Sequence, residues 1–419
     1  MSKILNFVKE VKAAYIDKYG TIDYFYDNET CLEHWVKELN IEKYTHILSM
    51  ITVRQYGNFI IIKYIKFEVI FSRDDSVSFS DFWNIYDGIF RECRGTTIDV
   101  VNECLVTRPY DKFFNIGECE ENNEKNIRDR IKNCKSLEFS NKLDGSLVIA
   151  RYYLDNLYIS SSGMADEDSI IISFAKKCIN NNSNILNLIK DYHEYTCLFE
   201  SISGNDAHIV TYDKTKYGLY LTGMRHVETG ELKSYSEIIA IAKEYNVKST
   251  EQYLVTFDDI LNMRKNYKAS EKEGFVMNVD GYLVKIKCDD YILFHKVAEA
   301  NCSRNNIIKA LYYDRIDDLR SAVPEPFLPK FDEALDDIKK YCRLMEQAVN
   351  EYYSQAPQDK VDFFKWIKTV PKFLSIYIVH KYMNQDFSYL SKKDIPDNVQ
   401  FVKYNEMVEI MKKLDNTQK

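Results

Sequence analysis

The chain has 419 residues, 45% of them hydrophobic, which is enough to bury the cores of two or three domains and excludes wholesale disorder. Charged residues make up 29% of the chain, and its net charge of −8 excludes a globally basic nucleic-acid-binding protein. Any polyanionic ligand must therefore be bound by a local cluster of cations.

Other features of the composition bound the class of protein. The ten cysteines are scattered without a Cys-x-x-Cys pair, so we expect free thiols and no structural zinc site. The amino terminus carries charges within its apolar stretch, which is not typical of a signal peptide. No run of about 18 apolar residues is present, so no membrane span is expected. These features predict a cytoplasmic protein, and the abundant Asn, Lys, Ile and Tyr are compatible with a viral or phage protein acting inside a host cell.

The predicted elements change along the chain. Apolar spacing predicts helices over 4–15 and 29–39, and a β-branched, aromatic stretch predicts one or two strands over 59–71. From there to about residue 297 short strands alternate with helices, which indicates an α+β fold with largely antiparallel sheets. The predicted strands are 95–100, 137–140, 147–153, 157–160, 219–224, 274–279 and 282–287, and the predicted helices include 169–180 and 234–245.

Strand patterns end near residue 300. Over 331–352 the apolar residues keep one helical face, and Pro324, Pro326 and Pro329 mark the start of that helix. We therefore predict a first domain over 1–300 and an all-α carboxy-terminal domain over 301–419. Residues 16–58 form an extension or insertion whose function the sequence does not assign.

The chemistry centres on the segment NKLDGSL at 141–147, which lies between two strand-like segments. A lysine just before a tight Asp-Gly turn is held at a strand end, where its amine can attack phosphorus once it is deprotonated. Neighbouring cations and burial are expected to lower the pKa of Lys142 towards neutrality. Asp-Gly is also an ordinary hairpin signal, and KxDG alone occurs by chance in roughly one chain of this length in ten.

Further segments carry charged and aromatic side chains in a consistent order: RECRG at 91–95, RPYDKFFN at 108–115, LFE at 198–200 at the end of a strand-like stretch, EGFV at 273–276 and LVKIK at 283–287. Strand alternation puts Lys285 and Lys287 on one face, where two ammonium groups suit a triphosphate. Each segment alone is typical of a surface ion pair, a solvated strand face or a packed aromatic. Their joint occurrence in this order favours a nucleotide site.

In this order the motifs resemble those of the covalent nucleotidyltransferase superfamily, and they are most similar to the phage-type RNA ligase 1 family, which repairs cleaved tRNA. The resemblance covers about residues 72–296. It implies an ATP-grasp-like nucleotidyltransferase domain of antiparallel sheets and helices, followed by the all-α domain. The implied activity is the ATP-dependent joining of RNA 3′-hydroxyl and 5′-phosphate ends through lysyl-AMP and RNA-adenylate intermediates.

The resemblance also implies roles for single residues. Lys142 would be the nucleophile that carries AMP, and Phe114 would pack near the adenosine. Glu200 would hold the ribose or Mg²⁺, and Glu273 would bind a water of the Mg²⁺ ion or the adenosine, with ATP as the substrate. The ATP- or AMP-binding residues would be Arg94, Lys112, Phe114, Gly145, Glu200, Glu273, Lys285 and Lys287.

The implied partner is RNA, in particular tRNA with a broken anticodon loop, together with an end-healing kinase or phosphatase. The chain would be a monomer without a membrane partner.

The sequence departs from the relatives at two places. Ser161 and Ser162 precede Gly163, where relatives have a basic residue, and Ala207-His208 precedes Ile209-Val210, where relatives have an arginine.

Two other kinds of protein share parts of this pattern. A capping guanylyltransferase or a DNA ligase would use the same lysine chemistry, but the ECRG and RPxxKFFN segments favour an RNA ligase, and no β-rich tail follows residue 300. A catalytically inactive RNA-binding protein would not need Lys142, Glu200, Glu273 and Lys285 together.

Overall fold

The computed structural model describes residues 2–65, 78–166, 169–204, 208–392 and 400–417. The chain forms two compact units, Met1–Ile292 and Leu293–Lys419. The boundary near residue 300 stays a prediction. Within the described ranges, no helix is both long and apolar enough to cross a membrane. The ten cysteines are free thiols.

Antiparallel pairing organises the first unit into three four-stranded sheets, with the orders β1-β2-β3-β4, β10-β5-β11-β12 and β7-β6-β8-β9. This arrangement confirms the predicted α+β fold with antiparallel sheets. The strands are β1 (Ile51–Tyr56), β2 (Phe59–Tyr64), β3 (Arg94–Asp99), β4 (Cys104–Thr107), β5 (Leu137–Lys142), β6 (Ser146–Tyr153), β7 (Asn156–Ser160), β8 (Tyr195–Ile202), β9 (Gly218–His226), β10 (Gln252–Tyr253), β11 (Gly274–Val279) and β12 (Tyr282–Lys287).

Helices cover the outer faces of the sheets or connect their strands. Those of the first unit are α1 (Lys3–Tyr19), α2 (Cys31–Leu39), α3 (Glu42–Ser49), α4 (Phe79–Glu92), α5 (Glu124–Lys132), α6 (Ile170–Asn181), α7 (Ser183–Asp191), α8 (Tyr235–Glu244) and α9 (Phe257–Met263). Helix α10 (Asp289–Asn301) begins in the first unit, and α4 is interrupted by non-helical residues between Ile85 and Gly88.

The structure differs from the sequence-based expectations in three places. Strands β1, β4 and β10 were not predicted, and β1 lies inside the stretch 16–58. Strand β8 continues to Ile202, so Glu200 stands two residues before its end and not at its tip. The predicted strand over 59–71 is observed as β2, and its part from residue 66 onward lies outside the described residues.

The amino-terminal helices share one hydrophobic core with the first sheet. Ile4 of α1, Trp35 of α2 and Ile60 of β2 are all fully buried in this core. Glu92, at the end of α4, accepts hydrogen bonds from the Ser2 hydroxyl at 2.6 Å and the Lys3 amide at 2.9 Å, so it satisfies free donors at the start of α1. Residues 16–58 are therefore an integral part of the layer that holds β2 and β3.

In the second unit the described residues are mainly helical, which confirms the predicted helical character of this region. Its helices are α11 (Arg304–Tyr312), α12 (Ile316–Ser321), α13 (Leu328–Tyr353), α14 (Lys360–Trp366), α15 (Lys372–Tyr382) and α16 (Tyr404–Thr417). Phe331, Ile338, Tyr341 and Phe363 are fully buried in one core. Pro329 stands in the first turn of α13, where the missing amide hydrogen costs nothing.

We expect Glu92→Ala to loosen helix α1, because the buried Ser2 hydroxyl and the Lys3 amide lose their acceptor, at a cost of about 2 kcal/mol. Hydrogen exchange of the α1 amides should become roughly tenfold faster or more, while exchange in α13 stays unchanged. Glu92→Gln, which keeps one acceptor oxygen, should show a smaller effect. Unchanged exchange in α1 of the Ala variant would show that Glu92 does not anchor this helix.

Candidate functional site

Strand register brings the Lys142 end of β5 to the start of β11. Lys142 lies opposite Gly274 of β11, and Gly274 lies opposite Lys287 of β12. Glu273, the residue before Gly274, is only 4% exposed. Its carboxylate contacts the Lys142 ammonium at 2.7 Å and the Lys287 ammonium at 3.0 Å. One buried carboxylate is therefore shared by two lysines from different strands.

The turn after Lys142 passes directly over strand β8. The Gly145 amide donates a hydrogen bond to Glu200 Oε1 at 3.0 Å. A Cβ at position 145 would lie 2.5 Å from the Ser201 carbonyl oxygen and 2.8 Å from Glu200 Cγ. Only glycine fits this approach, so Gly145 allows the second and third sheets to meet at the lysine.

Asp144 fixes this turn through a buried hydrogen-bond network. Its carboxylate accepts hydrogen bonds from the Ile209 and Val210 amides at 2.8 and 2.9 Å and from the Tyr291 hydroxyl at 3.0 Å. The Asp144 amide donates to the Tyr212 hydroxyl at 2.9 Å. Burial opposes the charge of Asp144, but its contacts with His208 and Val210 outweigh this and lower its pKa. Ile209 and Val210 therefore fix the turn that follows Lys142. Ala207 lies outside the described residues.

The aromatic segment at 113–116 pairs with the edge of β12. The Lys285 amide donates to the Phe114 carbonyl at 2.9 Å, and the Ile116 amide donates to the Lys285 carbonyl at 2.8 Å. Successive side chains of an extended segment point to opposite sides. Phe113 consequently faces the lysines, with the Lys285 ammonium 4.6 Å and the Arg94 guanidinium 5.4 Å from its ring centre.

These side chains surround a cavity of about 440 Å³, referred to below as the lysine cavity. Seven of the residues predicted for the site line it: Arg94, Lys142, Gly145, Glu200, Glu273, Lys285 and Lys287. Its size is in the usual range of small-ligand pockets.

Two of the predicted residues do not line the lysine cavity. Phe114 is 2% exposed and packs into the core beside Trp83, because Phe113 takes the position that faces the cavity. Lys112 lies over the rings of Tyr64, Trp83 and Phe114 at 5.4 to 5.7 Å. Phe113, and not Phe114, therefore lines the lysine cavity, and the expected contact of Phe114 with a bound adenosine stays a prediction.

The lysine cavity carries an excess of positive charge. Among the described residues that line it, five are cationic (Lys63, Arg94, Lys142, Lys285 and Lys287) and two are carboxylates (Glu200 and Glu273). Arg94 Nη1 is buried and has no hydrogen-bond partner within the described part of the chain. Burial and the nearby cations Arg94 and Lys112 hold the pKa of Lys285 well below its usual value. A polyanion would relieve all three conditions.

The carboxylates determine the protonation of Lys142. Burial opposes its charge, but Glu273 and Glu200 together outweigh burial and raise the pKa of Lys142 above its ordinary value. The expectation of a lowered pKa is therefore wrong for the protein without ligand, since the groups closest to Lys142 are carboxylates. Burial raises the pKa of Glu200 to about 7.

The donor set fits a divalent cation that is shared with a phosphate ligand. The described residues contain no cluster of three or more His, Cys, Asp or Glu side chains able to hold a metal without further ligands. Mg²⁺ is commonly bound through one or two carboxylates together with substrate phosphates. Glu200 and Glu273 line the same cavity as the cations and would be its protein ligands.

A second cavity of about 710 Å³ lies beyond Phe113 and Leu283, which line both cavities. Its cations are largely compensated by carboxylates. Arg225 contacts Asp111 at 2.7 Å, and Lys233 contacts Glu237 at 3.3 Å. The lysine cavity is therefore the better candidate for a polyanionic ligand.

Sequence reasoning missed Phe113, Lys63, Tyr212 and Tyr291. Phe113 is the neighbour of Phe114, which was predicted for the site. The pairing of this segment with β12 decides which of the two rings faces the cavity, and the sequence does not show that pairing. Lys63 comes from β2, far from the motifs in sequence. Tyr212 reaches Asp144 from a loop and Tyr291 reaches it from α10, and no local pattern reveals such contacts.

Three antiparallel sheets thus converge on a buried strand-end lysine, beside two glutamates and two further lysines. Residues 92–299 match the family model of the phage-type RNA ligases. This part of the chain belongs to the RNA ligase family. The match includes every motif residue from Arg94 to Lys287.

Individual relatives are distant. A putative bifunctional polynucleotide kinase/RNA ligase of Autographa californica nuclear polyhedrosis virus is 24% identical over 220 residues, which are 49% of this chain and 31% of that protein. A Naegleria gruberi RNA ligase structure with pyrophosphate is 18% identical, with a TM-score of 0.34, over 41% of this chain and 55% of that one. An archaeal ATP-dependent RNA ligase structure is 9% identical, with a TM-score of 0.45, over 76% of this chain and 83% of that one. The chain thus spans about a third of the viral relative and about half of the Naegleria ligase.

The raised pKa of Glu200 predicts a pH-dependent stability without nucleotide or metal. Between pH 4.5 and about pH 7, Glu200 keeps its proton in the folded protein but loses it in the unfolded chain. Protonation of Glu200 therefore stabilises the folded protein at low pH, and this stabilisation is lost as pH rises through about 7. Glu200→Gln lacks this protonation. Its free energy of unfolding should therefore rise relative to wild type by roughly 3 kcal/mol between pH 5 and pH 8, at about 1.4 kcal/mol per pKa unit. A constant difference in urea titrations at both pH values would contradict the assigned pKa.

Proposed function

We propose that the protein is an ATP-dependent RNA ligase that carries AMP on Lys142 and joins an RNA 3′-hydroxyl to an RNA 5′-phosphate. The observation that carries this proposal is the lysine cavity, in which Lys142 shares a buried carboxylate with Lys287 inside an excess of cations. A carboxylate partner holds the lysine, and the remaining cations suit a polyphosphate. The family of residues 92–299 supports RNA as the substrate class.

The reaction consists of three displacements at phosphorus. Lys142 Nζ attacks the α-phosphorus of ATP, so that a P–N bond forms, the bond to pyrophosphate breaks and the amine loses a proton. An oxygen of the RNA 5′-phosphate then attacks the same phosphorus and displaces Lys142, which regains a proton. Finally the RNA 3′-hydroxyl attacks the activated 5′-phosphorus, loses its proton and displaces AMP. Such steps depend mainly on positioning and on charge neutralisation.

The residues of the lysine cavity divide this work. Glu273 Oε2 is 2.7 Å from Lys142 Nζ and holds the amine until its proton leaves. Arg94, Lys285 and Lys287 neutralise phosphate oxygens, and Phe113 offers a flat apolar face beside them. Glu200 and Glu273 would hold Mg²⁺, which would supply further neutralisation of phosphate charge.

Lys142→Ala and Lys142→Arg should both abolish the covalent adduct, since alanine has no amine and a guanidinium stays protonated. Purified protein is incubated with labelled ATP or labelled GTP and Mg²⁺, and label on the denatured chain is measured after electrophoresis. Wild type should be labelled from ATP, with signal reduced at least 1,000-fold in both variants. Labelling from GTP alone would indicate a capping enzyme. An adduct at wild-type level in either variant would exclude Lys142 as the nucleophile.

We further propose that the natural substrate is tRNA with a broken anticodon loop, prepared by an end-healing kinase or phosphatase, and that the chain acts as a monomer in the cytoplasm. The second unit would then contribute substrate preference. Among the aromatic residues of this unit, Phe363 is buried in the core, and Tyr352, Tyr353 and Trp366 are packed against it. Lys392 pairs with Glu406 at 2.7 Å, and Lys393 lies outside the described residues.

A cluster of exposed basic residues, Lys339, Lys340 and Arg343, lies on α13 and is the candidate for RNA contact. Their triple Ala variant should form lysyl-AMP normally but lose severalfold of its preference for a broken tRNA loop over a plain oligonucleotide, because phosphate contacts position the RNA. A matched double variant, Lys365→Ala with Lys368→Ala, removes exposed lysines near α14. Sealing rates are compared at one salt concentration. An unchanged substrate ratio in the triple variant would show that this face does not select RNA.

A further inference from the structure

Strand β2 brings a cation into the lysine cavity from outside the RNA ligase segment. Lys63 pairs with Arg94 of β3 in the antiparallel register, at an irregularity between Ile62 and Lys63. Both side chains line the lysine cavity. The family match begins at residue 92, so Lys63 belongs to the amino-terminal layer that has no assigned function.

The loop across from β2 is shaped to accept the Lys63 side chain. A Cβ at Gly163 would lie 2.8 Å from Lys63 Cδ and 3.6 Å from Lys63 Nζ, so the lysine stem runs directly over the glycine. Ser162, the residue before it, also lines the lysine cavity and offers only a hydroxyl and its backbone. The positive charge on this wall of the cavity therefore comes from β2 and not from the loop.

Contacts outside the cavity hold the hairpin and the loop together. The Tyr56 hydroxyl donates to Asp166 Oδ2 at 3.0 Å, and Arg54 Nη1 lies 3.6 Å from the same carboxylate. The Ser161 amide donates to the Met164 carbonyl at 2.8 Å, which closes the loop on itself. The β1–β2 hairpin and the loop at 161–166 thus form one wall of the lysine cavity.

Lys63 and Arg94 together have the chemistry of a phosphate subsite. Their strands are adjacent, so a guanidinium fork and an ammonium group face the same space. Arg94 Nη1 is buried without a hydrogen-bond partner in the described residues, which is the condition that an anionic oxygen would relieve. We propose that Lys63 and Arg94 bind a phosphate group of the substrate, with Lys63 supplied by the amino-terminal hairpin. This inference rests on the proposed ligase function.

Two substrates could supply this phosphate: ATP, with its β- and γ-phosphates, and RNA, with its 5′-phosphate. Affinities of the full chain are measured for three probes: inorganic pyrophosphate, a 5′-phosphorylated oligoribonucleotide and AMP. In the variant Lys63→Ala, pyrophosphate or the 5′-phosphorylated RNA should bind at least fivefold more weakly, and AMP within twofold of wild type. The probe that weakens identifies the phosphate. Unchanged affinity for both phosphate probes, or an equal loss for all three, would overturn the subsite.

Matched variants separate a phosphate contact from a structural role. Gly163→Ala should displace the lysine stem and weaken the same probe, whereas Lys9→Ala, which removes an exposed lysine of α1, should leave all three affinities unchanged. Adding Ser162→Lys to Lys63→Ala returns a cation to the same wall and should recover at least half of the lost affinity on a logarithmic scale. Absence of recovery would contradict a charge-based role for Lys63.

The binding assays need no turnover, so they remain informative if the proposed function fails. Wild-type protein that binds pyrophosphate in a Lys63-dependent manner but forms no adduct with ATP would support the subsite and contradict the ligase proposal. In the opposite case, wild type and Lys63→Ala would form lysyl-AMP at the same rate and with the same ATP dependence, and both would bind the two phosphate probes with equal affinity. That result would support the ligase proposal and contradict the subsite.

Discussion

The Glu273 carboxylate, shared between the ammonium groups of Lys142 and Lys287, is the interaction on which the site depends. A carboxylate that is 4% exposed is costly to bury unless its partners are held in good geometry. Strand register provides that geometry, since Lys142 and Lys287 lie opposite Gly274 from its two sides. The close passage of Gly145 over β8 then adds Glu200 to the same space. The second and third sheets therefore meet at these charged groups, and the first sheet adds Lys63 and Arg94 to the same cavity.

This arrangement favours binding before chemistry. In the protein without ligand, Glu273 and Glu200 raise the pKa of Lys142, so the amine is protonated and cannot act as a nucleophile. The pKa of Lys285 is shifted in the opposite direction, because burial and neighbouring cations lower it. A polyphosphate that pairs with Lys285, Lys287 and Arg94 would satisfy those cations, and Mg²⁺ held by Glu200 and Glu273 would neutralise the carboxylates that keep Lys142 protonated. Binding of the nucleotide together with Mg²⁺ would therefore favour loss of the Lys142 proton, because the metal weakens the effect of the two carboxylates.

The sequence was sufficient for those parts of the site that depend on local pattern. The KxDG turn, the EG pair and the alternating Lys285 and Lys287 have spacings that a strand translates directly into position, and the structure brings them into one cavity. It was insufficient where position depends on contacts distant along the chain. The choice between Phe113 and Phe114 depends on pairing with β12, Lys63 enters through the register of β2 with β3, and the pKa of Lys142 depends on carboxylates 58 and 131 residues away.

The most direct test of this account is the pKa of Lys142 itself, measured by NMR of the isotopically labelled lysine amine over a pH titration, with Lys142→Arg for assignment. In the protein without nucleotide or metal, the account predicts a pKa above the ordinary lysine value of 10.5. The variant Glu273→Gln should lower that pKa, and addition of Mg²⁺ with a non-hydrolysable ATP analogue should lower it in the wild type. A Lys142 amine that is already neutral near pH 7 without ligand, and unaffected by Glu273→Gln, would contradict the central role of the shared carboxylate.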